Sequence, residues 1–153
     1  MDSVTPPLNW PTAPLQTRHP ESGKPEVLGL ARRKWVALEP EEWVRQHVLH
    51  YLSAELGYPL GCMAVEHRLQ LNGMERRADI VAFTPDGTAH VLVECKAPNV
   101  PLNQEAVSQA ARYNLVLNVP SLLVTNGMKH VAYGLGSDGK ATPLTQLPSC
   151  PSR

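Results

Sequence analysis

The stretch Arg76-Arg77-Ala78-Asp79-Ile80-Val81-Ala82-Phe83-Thr84-Pro85-Asp86-Gly87-Thr88-Ala89-His90-Val91-Leu92-Val93-Glu94-Cys95-Lys96 decides how this chain is read. Two apolar, β-branched runs flank Pro85-Asp86-Gly87, a trio suited to a tight turn. Residues 76–83 and 90–96 therefore read as a β-hairpin. Centring the turn on Asp86-Gly87 sets Phe83 opposite His90, Val81 opposite Leu92 and Asp79 opposite Glu94. Opposed residues project to the same side of a sheet, and Lys96, two positions past Glu94, shares that side. The other side carries Ile80, Ala82, Val91, Val93 and Cys95, which reads Cys95 as core packing. Both sides are mostly apolar, so helices are expected on both faces. Yet Asp79, Glu94 and Lys96 gather at one end of one face. Two opposed carboxylates in a half-buried sheet repel, and loss of hydration worsens this. Lys96 or a divalent cation is needed to neutralise them.

Outward from the hairpin, residues 63–71 alternate and end in Asn72-Gly73, the strongest short hairpin signal. That turn sets Glu66 opposite Asp79, giving a row Glu66, Asp79, Glu94 across three strands, which a one-residue slip would destroy. Upstream, residues 40–56 read as a helix. Pro40 suits its first position, Glu39, Glu41 and Glu42 suit its dipole, and Val44, Val48, Leu49, Leu52 and Leu56 form an apolar stripe that Gly57 ends. Downstream, a loop with Pro98 and Pro101 leads to a helix of 104–117 capped by Asn103. Residues 121–125 read as a fourth strand and 130–135 as a fifth, at an edge. The expected fold is α/β, a mixed sheet of four or five strands flanked by helices.

Six prolines between Pro6 and Pro25 make residues 1–30 read as an extended or disordered, flexible arm, and Gly136 to Pro151 read as a flexible tail (residues 136–153). The folded unit is then residues 31–135 of 153. Fourteen Lys+Arg balance fourteen Asp+Glu, so any nucleic-acid contact must come from local clusters. Three scattered cysteines, Cys62, Cys95 and Cys150, exclude a disulfide framework and a Cys-based zinc site and suit a reducing cytosol. No apolar run approaches a membrane span, and no signal peptide is visible, so the expected setting is cytoplasmic with no membrane partner. Gly134 to Lys140 has the spacing of a phosphate-binding loop, but Ala141 stands where Ser/Thr is needed and no helix follows.

Arg77-Ala78-Asp79, then Glu94-Cys95-Lys96, resembles the PD-(D/E)XK nuclease motif, with Ala78 where the motif's name has proline. The wider chain, over residues 31–135, resembles the N-terminal nuclease domain of the type I restriction enzyme R subunit. Arg33-Lys34-Trp35-Val36, Glu41-Glu42-Trp43-Val44-Arg45-Gln46, Val65-Glu66 and Ala111-Arg112-Tyr113-Asn114 carry that resemblance. It implies a restriction-endonuclease-like three-layer core. It further implies a metal-dependent nuclease that hydrolyses DNA phosphodiester bonds in restriction, defence or DNA processing. Asp79 and Glu94 would ligate Mg2+ or Mn2+, with Glu66 as a further ligand, and Lys96 would act on the water or the transition state. Gln109 and Tyr113 match the family's Q-x-x-x-Y element, which supports the site. The family also places an acid on the first helix near the metal, and Glu41 is taken for that role. DNA is the expected partner, with a homodimer or a larger restriction complex as the assembly. The R subunit's motor is absent from this chain.

Two other readings stay open. Asp79, Glu94 and Lys96 also suit a buried ion-pair network without chemistry, and the chain also suits a non-catalytic DNA-binding or assembly module. Arg32-Arg33-Lys34, like Arg68, Arg76 and Arg77, is either a phosphate contact or a solvated run.

Overall fold

In a computed structural model, residues 5–112, 117–136, 138 and 140–151 are described. Strands β1 (Thr17–Arg18), β2 (Glu26–Leu28) and β3 (Trp35–Ala37) form a small antiparallel sheet. Helix α1 (Pro40–Ala54) follows, with Pro40 in its first turn as the sequence requires. Then come β4 (Met63–Leu71), β5 (Met74–Phe83), β6 (Ala89–Cys95), α2 (Gln104–Arg112), β7 (Ser121–Thr125), β8 (His130–Leu135) and β9 (Ala141–Leu144). The larger sheet has six strands in sequence order, β4-β5-β6-β7-β8-β9. Every pairing in it is antiparallel except β6 with β7, the pair that α2 connects.

Alternation along the strands feeds two apolar clusters. Ile80, Ala82, Val91, Val93, Cys95 and Leu123 pack with Val44, Val48, Leu49 and Leu52 of α1. Val81, Leu92, Leu122 and Val124 pack with Ala110 of α2, and Val107 and Ala111 join them. Asn103 caps α2, its Oδ1 accepting the Ala106 N–H at 2.9 Å.

The structure corrects the sequence reading at several points. The sheet has six strands, not four or five, and β8 is not its edge, because β9 pairs with it. Within residues 1–30, expected to be an extended or disordered arm, the described residues contain β1 and β2 and bury Ala13 and Val27. Asn9 joins this segment to the β7–β8 turn, its N–H donating to the Gly127 carbonyl at 2.8 Å and its carbonyl meeting His130 Nε2 at 2.8 Å. Gly127 has φ +87°, and a Cβ there would sit 2.8 Å from Leu8, so only glycine fits against the arm. In the tail, Leu147 is buried and Tyr58 donates a hydrogen bond to the Pro148 carbonyl at 2.9 Å. Proline-rich composition misled the reading because these segments are held by long-range contacts, which local propensity does not encode. The expected pairing of Phe83 with His90 also fails. A bulge after Ala82 moves Phe83 opposite Ala89, and His90 turns to bond Tyr58 Oη at 2.6 Å.

The β4–β5 hairpin turns over at one point. Its register is the expected one, with Val65 opposite Ile80 and His67 opposite Ala78, but the ladder omits Glu66 and Asp79. Glu66 has φ +54°, a left-handed conformation costing a non-glycine residue about 1–2 kcal/mol. Met63 and Val65 pack with the α1 cluster, whereas Leu69 and Ala78 pack with the α2 cluster. Simple alternation would keep all three β4 residues on one side. The reversal falls at Glu66 and Asp79, in the middle of the row the sequence picked out.

Candidate functional site

Asp79 and Glu94 lie where β5 and β6 part, one position beyond the last pair, Ile80 with Val93. Their side chains close the gap left by the ladder. The Cys95 N–H donates to Asp79 Oδ2 at 2.7 Å, and the Asp79 N–H donates to Glu94 Oε1 at 3.3 Å. Each carboxylate thus takes a backbone hydrogen that a continued sheet would have used. The Asp79 side chain is only 16% exposed. Burial, opposed chiefly by the Cys95 N–H and Arg45, holds its carboxyl above the usual range. Glu94 is pushed up to about 8, by burial first and by the negative Asp79 second. Lys96 is half-buried, and its charge favours ionisation of Asp79, Glu94 and Glu41 alike.

The sequence reading missed Arg45. It is 7% exposed on α1 and grips Glu42 through Nε and Nη2, both at 3.0 Å. Its Nη1 lies 3.7 Å from Glu66 Oε1 and 3.8 Å from Asp79 Oδ1, and is buried without a hydrogen bond. Burial disfavours the guanidinium charge, but Glu42 and Asp79 outweigh it and raise its pKa. Gln46 completes the network by donating to Glu42 Oε2 at 2.8 Å. The spacing of Glu42, Arg45 and Gln46 at i, i+3, i+4 was the available signal, since it puts all three on one helical face.

Glu66 meets Arg32 at 3.5 Å as well as Arg45. The register sets it opposite Asp79 as expected, but its left-handed backbone takes the pair out of the ladder, and both acids lie against Arg45 Nη1. The apolar stripe on α1 is buried as expected, and of the two acids beside it Glu42 is buried while Glu41 is exposed. Glu41 nevertheless stands near enough for the Asp79 charge to act on it, after burial, in raising its carboxyl pKa. Gln109 is exposed on α2, and its side chain makes no hydrogen bond among the described residues. Tyr113 lies outside the described residues. Among those described, no three His, Cys, Asp or Glu side chains converge as a metal cage.

The family model for the type I restriction enzyme R protein N terminus matches residues 40–148. The chain belongs to this family. The match spans α1, α2 and all six strands of the larger sheet, and so every residue of the Asp79–Glu94 site. No curated protein and no solved structure matches the chain. As an R protein N-terminal domain, it is associated with restriction systems. No helix among its described residues is long and apolar enough to cross a membrane.

Proposed function

We propose that this R protein N-terminal domain is a metal-dependent DNA nuclease of the PD-(D/E)XK type, with a restriction-endonuclease-like three-layer core. One observation carries the reading. Two carboxylates are pressed together where β5 and β6 part, and Glu94 is pushed up to about 8 with Lys96 alongside. A fold that tolerates this repulsion gains from a hard cation. The donor set fits one, since Mg2+ takes one or two protein carboxylates and keeps several waters. Asp79 and Glu94 would hold Mg2+ or Mn2+, with Glu41 at the rim. Such an ion supplies a Lewis acid for the scissile phosphate and a more acidic water.

The protein side of the reaction follows from placement. Arg45, 3.8 Å from Oδ1, and the Cys95 N–H on Oδ2 fix the orientation of the Asp79 carboxylate before any ligand arrives. Lys96, as a cation, orients the attacking water or stabilises charge gathering on the phosphate. Gln109 on the second helix, together with Tyr113 as the sequence motif pairs them, would support these groups. A cytoplasmic setting, and assembly as a homodimer or within a larger restriction complex, belong to the same reading.

The test is a cleavage assay on supercoiled, linear and branched DNA with Mg2+ or Mn2+. Cutting that EDTA stops, and that Lys96→Ala abolishes without unfolding the chain, supports the proposal. Absence of cutting by wild type under all these conditions sinks it. Arg45 favours a second reading, because this internal cation lies 3.8 Å from Asp79 and already offsets part of its charge. In that case the domain binds DNA or assembles without catalysis, and Lys96→Ala binds DNA as wild type does.

A further inference from the structure

We infer that the turn of residues 29–34 is a built phosphate-backbone contact that guides a nucleic-acid strand to the Asp79–Glu94 site. This rests on the nucleic-acid reading above and names the surface that serves it. The turn joins β2 to β3 and is closed by two backbone bonds, Gly29 N–H to the Lys34 carbonyl and Arg33 N–H to the Gly29 carbonyl, both 2.9 Å. Arg32, Arg33 and Lys34 are all exposed on it. Arg33 is held at φ +57°, a conformation that costs a non-glycine residue energy and tends to mark functional segments. A solvated run of charge has no need of such a fixed backbone.

The turn is wired to the carboxylate site. The Leu30 N–H donates to Gln46 Oε1 at 2.9 Å, Gln46 donates to Glu42, and Glu42 holds Arg45, which reaches Asp79. Arg32 adds a second link through Glu66. Between turn and helix lies a cleft of about 430 Å³ lined by Arg32, Lys34, Glu41, Glu42, Arg45 and Glu66. Its lining includes Arg45, a nine-tenths buried cation whose Nη1 lies 3.7 Å from Glu66 and 3.8 Å from Asp79.

Charge decides which occupant fits. Glu42 is committed to Arg45 and Gln46, and Glu66 to Arg32 and Arg45. Arg33 and Lys34 make no ion pair among the described residues, so the turn side presents free positive charge. Glu39 and Glu41 line the helix side of the cleft and repel an anion there, so the phosphate contact falls on the turn side, at Arg33 and Lys34. Overall charge is balanced, so this local cluster, not the bulk field, would attract a phosphate backbone.

The test measures binding of the full chain to a labelled DNA duplex in EDTA, across a salt series, so that no cutting intervenes. Arg33→Ala/Lys34→Ala removes two unpaired surface cations and leaves the Arg32–Glu66 link in place. The expected result is affinity lower by on the order of tenfold at low salt, with the slope of log K against log salt shallower by about 1.8, as two lost phosphate contacts require. Lys24→Ala/Lys140→Ala removes equal charge elsewhere and should weaken binding less. Equal losses in the two variants, an unchanged slope, or a wild type that does not bind DNA overturns the inference. So does a wild type that binds poly-glutamate as well as it binds DNA, which would point to an acidic protein partner. If wild type binds with these properties but never cuts DNA in Mg2+, the nuclease reading fails and the turn assignment stands.

Discussion

Arg45 Nη1 sits between two acids of different elements, 3.7 Å from Glu66 and 3.8 Å from Asp79, while the rest of its guanidinium is locked to Glu42. One buried cation from α1 thus ties together the kink in β4 and the parting of β5 from β6. Its removal would leave Glu42 and Asp79 without their compensating charge. Arg45→Met is expected to destabilise the metal-free protein by about 3–5 kcal/mol, the usual cost of breaking a buried pair from one side. Denaturant melts measure this. The double variant Arg45→Met/Glu42→Leu should recover a large part of the loss, and no recovery would remove Glu42 as the main partner.

Glu94 dictates a pH dependence. Its folded pKa of about 8 lies above its ordinary 4.5, so folding favours the protonated form. Its stabilising contribution is therefore complete below about pH 4.5 and is lost as pH rises toward 8. Asp79 is shifted in the same direction. In EDTA the melting temperature should fall across this range. A divalent cation reverses the sign by favouring the charged pair, so Mg2+ should raise the melting temperature more near pH 8 than near pH 5.5. At a hundred times its dissociation constant the gain is about 2.7 kcal/mol. A metal effect independent of pH would separate cation binding from this pair.

Glu66 stores backbone strain. Glu66→Gly relieves about 1–2 kcal/mol at φ +54° and loses ion pairs of a 39% exposed side chain, worth under about 1 kcal/mol. Glycine's extra chain entropy takes back part of the relief. Stability should stay level or rise slightly, whereas Glu66→Val should lower it. If Glu66 also contributes to metal binding, the glycine variant keeps its fold and loses part of the Mg2+-induced shift in melting temperature.

Tyr58 is fully buried and its hydroxyl joins two distant segments, His90 of the bulged β6 and the Pro148 carbonyl. Burial pushes its pKa up to about 12, so it stays a neutral donor. Tyr58→Phe leaves the Pro148 carbonyl without this donor and should cost about 1–3 kcal/mol. Limited proteolysis should then release the segment after β9 faster than in wild type, and equal rates would argue against Tyr58 as its anchor.

Short-range patterns fixed much of this molecule. Pro40 starts α1, Asn103 caps α2, and turn chemistry at Asn72-Gly73 and Asp86-Gly87 sets registers that put Val81 beside Leu92 and Val65 beside Ile80. The same registers brought Asp79 and Glu94 to one place, because pairing in a hairpin follows from its turn. Tertiary structure decided the rest. The left-handed twist at Glu66, the bulge at His90 and the burial of Arg45 depend on partners 21 to 34 residues away in sequence, from Arg45 with Glu66 to Arg45 with Asp79. Among the described residues, the proline-rich segments are tied to the rest of the fold through contacts such as Asn9 with Gly127 and Tyr58 with Pro148. Local sequence sets which backbone shapes are cheap. Where a costly shape persists, as at Glu66 and Arg33, its compensation comes from charges and hydrogen bonds that only the folded chain brings into reach.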